Sequence, residues 1–224
     1  MNIVRVHMSR QEITTEELFP GLELIGGRGM TARILNAEVA PAIDPLSRQA
    51  KLVIATGPLA GTNASSLGRL SIGAKSPLTH GIKEANVGGP AGQKIDRLGI
   101  RAIIIEEAPE DDSVYYLQLS HGNWRLEKAD ALKGMKTSET TAWLQERIDP
   151  KATIMSVGLG GERRWKAAAI AATDRGGHAS RFAARGGLGS VMAAKGLKAI
   201  VIDDRRAPAI ELKNKEMFRK AQKQ

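Results

Sequence analysis

The sequence has no cysteine. A disulfide framework is therefore excluded, as is any zinc or iron–sulfur site held by this chain's own thiolates. Aromatic residues make up only 4% of the chain while 42% is hydrophobic, so a core must come from Ile, Leu, Val, Ala and Met. Apolar runs are short, and none approaches the roughly 18 residues a membrane-crossing helix needs. The opening stretch Met1-Asn2-Ile3-Val4-Arg5-Val6-His7 alternates and carries charge early, unlike a secretory signal. These absences give the expectation of a cytoplasmic protein with no membrane partner. Histidine is scarce too. His7, His80, His121 and His178 include no i, i+4 pair and no flanking metal-ligand spacing. No nucleophile elbow surrounds Ser76 or Ser156.

What the chain has in excess is positive charge and glycine. The formal net charge is +9, which favours anionic partners: nucleic acid, phosphorylated cofactors or membrane surfaces. The basic residues are spread along the chain apart from a basic tail, and no aromatic-rich basic strand offers a base-stacking platform. The expectation is therefore no nucleic-acid partner. The 24 glycines sit largely in short clusters, as expected of residues that shape backbone rather than form flexible linkers.

Alternation predicts a β-hairpin over 3–7 and 11–18 and a second over 114–119 and 124–126. Short apolar runs predict strands at 51–56, 69–74, 102–105, 153–157 and 199–202. Helices are predicted over 30–36 and 138–147, the latter with Glu139 in its first turn. Two further helical segments follow Gly88-Gly89 and Gly186-Gly187. Trp124, Trp143 and Trp165 are expected in or beside the core, and Glu106-Glu107 and Asp111-Asp112 in a solvated loop.

The chain also echoes itself. Gly88-Gly89…Leu98-Gly99-Ile100-Arg101-Ala102-Ile103-Ile104-Ile105-Glu106 is matched by Gly186-Gly187…Lys195-Gly196-Leu197-Lys198-Ala199-Ile200-Val201-Ile202-Asp203, with one residue of difference in spacing. One supersecondary unit used twice would present two like glycine loops, an arrangement suited to a ligand with two like parts. Two similar helix–strand connections with no shared role are the other reading. Glycine loops let backbone N–H groups approach an anion, and Arg69 after Gly68 and Arg185 before Gly186 add planar forks for phosphate. Taken singly, each cluster reads equally as a tight turn with a surface arginine. The Gly26-Gly27-Arg28-Gly29 cluster is neither a Walker loop nor a Rossmann fingerprint.

At these same loops the sequence resembles the aldehyde:ferredoxin oxidoreductase family. The stretches that carry the resemblance are Ile25-Gly-Gly-Arg-Gly-Met30, Ala55-Thr-Gly-Pro-Leu-Ala-Gly-Thr62, Gly68-Arg-Leu-Ser-Ile-Gly-Ala-Lys-Ser-Pro-Leu-Thr79, Asn86-Val-Gly-Gly89 and Arg185-Gly-Gly-Leu-Gly-Ser-Val-Met-Ala-Ala-Lys-Gly-Leu-Lys-Ala-Ile200. They stand in the family's order, and the similarity runs to about Asp204. It implies the family's N-terminal, pterin-binding domain: an α+β fold of two similar β-rich halves with helices, related by a pseudo-two-fold. In this chain the halves would be roughly 1–107 and 108–204. Such a domain is the base on which two pterin dithiolenes hold tungsten or molybdenum. By position, Arg69, Asn86, Gly88 and Gly89 fall on one cofactor-contacting loop and Arg185, Gly186 and Gly187 on the other.

The sequence departs from the family pattern at Pro90-Ala91-Gly92, where aromatics are usual, and at Ala184, where glycine is usual. The family's cluster cysteines, further pterin motifs and acid–base residues belong to later domains. Residues 205–224 read as a linker and the start of a helix. The resemblance thus implies a component that is incomplete as a catalyst alone. A [4Fe-4S] cluster would come only through a companion chain or further domains, self-association would be the other way to cover the cofactor face, and ferredoxin would be the electron acceptor of the complete enzyme. A stand-alone pterin carrier or a non-functional fragment are the alternatives.

Overall fold

The computed structural model describes residues 1–18 and 20–223. The first half of the chain runs β1 (Asn2–His7), β2 (Glu12–Glu17), α1 (Gly27–Glu38), β3 (Leu52–Thr56), β4 (Leu70–Lys75), β5 (Ile82–Val87), α2 (Ala91–Arg97) and β6 (Ile100–Glu106). The second runs β7 (Tyr115–Ser120), β8 (Asn123–Lys128), α3 (Thr137–Arg147), β9 (Thr153–Ser156), the single turn α4 (Leu159–Glu162), β10 (Ile170–Ala172), β11 (Arg181–Ala183), α5 (Leu188–Ala194) and β12 (Leu197–Asp203). A last helix, α6 (Lys215–Gln222), follows an irregular stretch. No described helix is long and apolar enough to cross a membrane.

Each half forms one six-stranded sheet. The orders are β2-β1-β6-β3-β4-β5 and β8-β7-β12-β9-β10-β11, strand for strand the same. Pairing sense matches as well: β1/β6 and β7/β12 are parallel and the other neighbours antiparallel. Even the irregularities agree. The register against the neighbouring strand skips Arg101 in β6 and Lys198 in β12, so the basic residue of the Gly-apolar-basic-Ala motif sits at a bulge in both halves. Both bulged cations turn inward. Lys198 donates to the Met135 carbonyl at 2.8 Å and Arg101 lies 3.6 Å from the Asp96 carboxylate.

Alternation along the strands assigns the layers. Leu52 and Ile54 of β3 and Ile103 and Ile105 of β6 face a core shared with Leu117, Met155, Ile200 and Ile202 of the second sheet. Val53, Ala55, Ala102 and Ile104 point the other way, onto Met30, Ile34 and Leu35 of α1. On the far side Ile154, Ala199 and Val201 meet Leu144 of α3. The sheets thus face each other, α1 and α3 cover their outer faces, and α2 and α5 enter the central core through Ile95, Leu188 and Val191. Strands with apolar surroundings on both sides are mainly apolar, so β3 reads as a hydrophobic run and β6 and β12 read as one from the alanine after the bulged cation, Ala102–Ile105 and Ala199–Ile202.

Helices α2 and α5 press on backbone. A Cβ at Gly92 would stand 2.5 Å from the Gly68 carbonyl oxygen, and one at Gly189 would collide with the Ala169 carbonyl. The two contacts occupy equivalent places, because Gly92 meets the Gly68-Arg69 backbone that leads into β4 and Gly189 the Ala168-Ala169 backbone that leads into β10. Two expectations from the sequence fail. Glu106 is buried, not in a solvated loop: it pairs with Arg5 at 3.1 Å, Lys51 at 2.6 Å and His7 at 2.9 Å, residues brought together by sheet pairing. Trp165 is 58% exposed, because it follows the α4 turn outward and rests against Gly160 and Arg163.

Lysines fasten the long 40–51 connection to this frame. Lys75 donates to the Pro41 and Ile43 carbonyls, and the fully buried Lys195 to the Ser47 and Arg48 carbonyls at 2.9 and 3.0 Å. Burial, with Arg164 adding repulsion, pushes the Lys195 ammonium down from its ordinary 10.5 to about 7. The folded chain gives up this proton near 7 while the unfolded chain keeps it to about 10.5. The residue's contribution to stability is therefore poorest below pH 7 and improves as pH climbs from 7 towards 10.5. Urea midpoints measured across that window should rise more steeply for the wild type than for Lys195→Met; equal slopes would contradict the assignment. Gly92→Ala and Gly189→Ala should each destabilise by about 1–3 kcal/mol through overpacking. Gly57→Ala, whose Cβ would meet nothing within 4 Å, should stay within about 0.5 kcal/mol on the same denaturation curves.

Candidate functional site

The β4–β5 hairpin carries the first group of candidate residues. Ser71 and Asn86 are cross-strand partners, so their side chains meet on one face. The Asn86 amide donates to the Ser71 hydroxyl at 3.3 Å, which donates to Glu84 at 2.8 Å. Glu84 in turn accepts from Arg28 at 3.1 Å, at the start of α1. At the other end, Arg69 donates its Nε to the Asn86 side-chain oxygen. A hydrogen-bonded row thus joins the Gly26–Gly29 cluster to Arg69 and fixes the direction of that exposed guanidinium. Its Nη1 lies 3.4 Å from where a Gly88 Cβ would be, so the fork lies over bare glycine backbone.

Arg69, Gly88 and Gly89 open on a cleft of about 730 Å³. Its walls include the Thr62–Ser66 loop, Gln93 of α2, and Asp174, Arg175, Gly176 and Arg181 from the second half. Gly89 has φ +106°, and a Cβ there would stand 2.7 Å from the Thr173 carbonyl. The volume falls in the range of small-molecule sites, and the lining is rich in guanidinium, hydroxyl and backbone amide, donors that suit an anion.

The second group lies apart from this cleft. Arg185, Gly186 and Gly187 have φ of 71°, 82° and 75°, three left-handed residues in succession between β11 and α5. Arg185 is exposed, whereas Gly186 and Gly187 are buried. The Ser76 hydroxyl donates to the Gly186 carbonyl at 2.7 Å, the Lys83 side chain lies against Gly186, and Pro77 and the Lys166 carbonyl lie against Gly187. Lys83 marks one end of β5 and Gly89 lies beyond the other, so the two glycine loops are separated by about 20 Å at the usual strand rise. The glycine loops are equivalent by topology but their arginines are not: the residue matching Arg69 before β10 is Ala169.

The structure therefore joins Arg69, Asn86, Gly88 and Gly89 in one site and places Arg185, Gly186 and Gly187 at the far end of the same β5–β11 seam. Sequence reasoning passed over Arg175, Arg181 and Gln93. The one signal for the first two was the Asp174-Arg175-Gly176-Gly177 cluster, a further glycine pair beside a basic residue. Among the described residues, no group of three or more His, Asp or Glu side chains is placed to hold a metal ion.

The "Aldehyde ferredoxin oxidoreductase, N-terminal domain" family model matches residues 3–204. The tungsten-containing aldehyde ferredoxin oxidoreductase of Pyrococcus furiosus is 38% identical over 218 residues, covering 96% of this chain and 35% of that protein. That of Thermococcus kodakarensis is 38% identical over 220 residues with the same coverage. The WOR-like subunit of the aliphatic sulfonate oxidoreductase of Pyrococcus furiosus is 28% identical. Among solved structures, the active site complex BamBC of benzoyl coenzyme A reductase, in complex with 1,5-dienoyl-CoA, superposes with a TM-score of 0.83 at 29% identity, over 90% of this chain and 30% of that one. The chain spans about a third of the length of the relatives it matches. With matching motifs, two topologically equivalent halves and a family model spanning residues 3–204, the chain belongs to the aldehyde ferredoxin oxidoreductase N-terminal domain family.

Proposed function

We propose that this chain forms the cofactor-bearing base of an aldehyde:ferredoxin-type oxidoreductase, seating a bis-pterin tungsten or molybdenum group along the β5–β11 seam. The observation that carries the reading is Arg69: a guanidinium held by Asn86 over the bare backbone of Gly88, facing an open cleft. Arg69 pairs with acidic oxygens of the cofactor, Asn86 offers its amide to the pterin edge, and Gly88 and Gly89 let the backbone come close. Arg185, with Gly186 and Gly187, serves the other end. The bound group supplies the two-electron redox chemistry of aldehyde oxidation. Sulfurs of the pterins would hold the metal, so no metal ligand from this chain would be required.

The residues present fit such a group chemically. The cleft offers donors and positive charge without a cluster of acids that would repel a phosphorylated ligand; its one acid, Asp174, is occupied within its own loop. The iron–sulfur cluster, acid–base groups and ferredoxin contact are assigned to the two-thirds of the relatives' length that this chain does not span, in the same polypeptide or a companion. A cytoplasmic setting accords with that electron acceptor.

Arg69→Ala combined with Arg185→Ala should lower the pterin and tungsten content of the purified enzyme at least about tenfold, the ratio of one lost charge-assisted hydrogen bond. The thermal midpoint of the metal-free protein should hardly move, since both side chains are exposed. Metal analysis and oxidised-pterin fluorescence read the outcome, and unchanged content in the double variant would sink the proposal.

A further inference from the structure

The hydrogen-bonded row that ends on Arg69 has a direction, and its far end completes it. A guanidinium only donates and a carboxylate only accepts. Arg69 donates to the Asn86 side-chain oxygen, so the Asn86 amide nitrogen faces Ser71 and donates to its hydroxyl at 3.3 Å. The Ser71 oxygen is thereby an acceptor, and its own proton needs a separate acceptor. Glu84 takes it at 2.8 Å. Without the acid, the acceptor left on the row for that proton is the Asn86 oxygen. An Asn86 amide turned round to offer it would present its nitrogen to Arg69, donor against donor.

Local packing narrows the choice for Ser71 further. The residue is 4% exposed, and a Cβ at Gly27, where α1 begins, would stand 3.3 Å from its hydroxyl oxygen, so helix backbone roofs it. Glu84 lies two residues before Asn86 on β5, on the same face. The residue opposite Glu84 on β4 is Gly73, which has no side chain, so the carboxylate reaches along the diagonal to Ser71. Its second oxygen accepts from Nε and Nη2 of the exposed Arg28 at 3.2 and 3.1 Å.

The fold itself does not need this row. At the matching places of the second half stand Ala171 and Phe182, cross-strand partners on β10 and β11 as Ser71 and Asn86 are on β4 and β5. Ala169 stands in the place of Arg69. An apolar pair thus completes the same strand pairing where no arginine has to be aimed.

We propose that Glu84 is a positioning residue for the ligand-facing Arg69. By taking the Ser71 proton it keeps the Asn86 oxygen towards the Arg69 Nε, which leaves the Nη groups of the fork to the cleft. Arg28 seats Glu84 from the solvent side. This rests on Arg69 meeting an acidic group of the bound cofactor, and it assigns a part to Glu84 and Ser71, neither of which lines the cleft.

Solvent exchange of the Arg69 Nε–H, followed by nitrogen-15 NMR on the full chain without cofactor, tests the row. Glu84→Met removes the acceptor, and Ser71→Ala supplies the residue found at the matching place of the second half. Each should speed exchange about fivefold, as for one neutral hydrogen bond lost. Glu84→Gln, whose amide oxygen still accepts from Ser71, should stay within about twofold of the wild type. The Arg125 Nε–H, bonded to the Asn123 side chain at 3.1 Å, is the internal control and should not change. Pterin content of the purified enzyme should fall in Glu84→Met and hold in Glu84→Gln. The proposal is overturned if Glu84→Met and Ser71→Ala exchange as the wild type does, if Glu84→Gln behaves as Glu84→Met does, if Arg125 speeds up equally, or if Glu84→Met keeps its pterin. Failure of the cofactor reading is separate. Full cofactor content in the Arg69/Arg185 double variant removes that reading and leaves the exchange rates standing, whereas cofactor loss there with unchanged exchange in Glu84→Met removes only the part given to Glu84.

Discussion

The constraint on which the rest of this molecule depends is backbone against backbone. At Gly92 the first turn of α2 lies on the Gly68 and Arg69 carbonyls, and at Gly189 the first turn of α5 lies on the Ala168 and Ala169 carbonyls. No side chain fits between, so each helix is held at a fixed depth between the sheets. The glycine loops that feed these helices are consequently held beside the entrances of β4 and β10. In the first half this brings Gly88 under Arg69. The position of the cleft thus follows from a packing distance rather than from any attraction between the residues that line it.

The same constraint applied twice gives the pseudo-two-fold, but symmetry of backbone does not impose symmetry of chemistry. The strand order, pairing sense and bulge repeat in both halves. The bulged cations already differ: Lys198 is satisfied by Met135 and Glu162, while Arg101 leans on Asp96, itself held by the Thr56 hydroxyl and the Gly61 N–H. Burial raises the Asp96 carboxyl against the pull of Arg101, so desolvation works against this pair. Arg69 against Ala169 is the same divergence at the surface. A ligand with two like parts would find like loops at both ends of the seam and unlike side chains around them.

Much of this was legible in the sequence. The apolar runs 51–56, 102–105 and 199–202 were readable as strands because they are covered on both faces, and the repeated Gly-apolar-basic-Ala motif announced the duplicated unit, though not the bulge that its basic residue occupies in each half. Glu139 does receive the Lys136 N–H at the start of α3. The elements that were missed are those that build the site. β5, Ile-Lys-Glu-Ala-Asn-Val, is half polar because one face serves the Arg69 row, so no hydrophobic period announces it. β10 and β11 have three residues each, too few for any period. Glu106 looked solvated because its partners Arg5 and Lys51 are distant in the chain, and Trp165 looked buried because nothing in the sequence shows the α4 turn carrying it outward. Arg175 and Arg181 belong to the cleft only through contact between halves, which no local pattern records.

The candidate residues differ in what they can reveal about function. Gly89, Gly186 and Gly187 are fully explained by packing: the Thr173 carbonyl, the Lys83 side chain and the Lys166 carbonyl leave no room for a Cβ, and all three have positive φ. Substituting them would disturb the fold whatever they bind, so a lost activity would be uninformative. Gly88 is different. The one atom near its missing Cβ is the Arg69 guanidinium at 3.4 Å, the end of a flexible side chain, and its φ is not positive. Packing does not demand glycine there, and neither does it demand Arg69, Arg175, Arg181 or Arg185, all exposed. Exposed arginines kept without acid partners contribute little to stability. The case for a ligand therefore rests on Gly88 and the arginines, where the fold alone asks for nothing, and not on the glycine pairs that first drew attention to these loops.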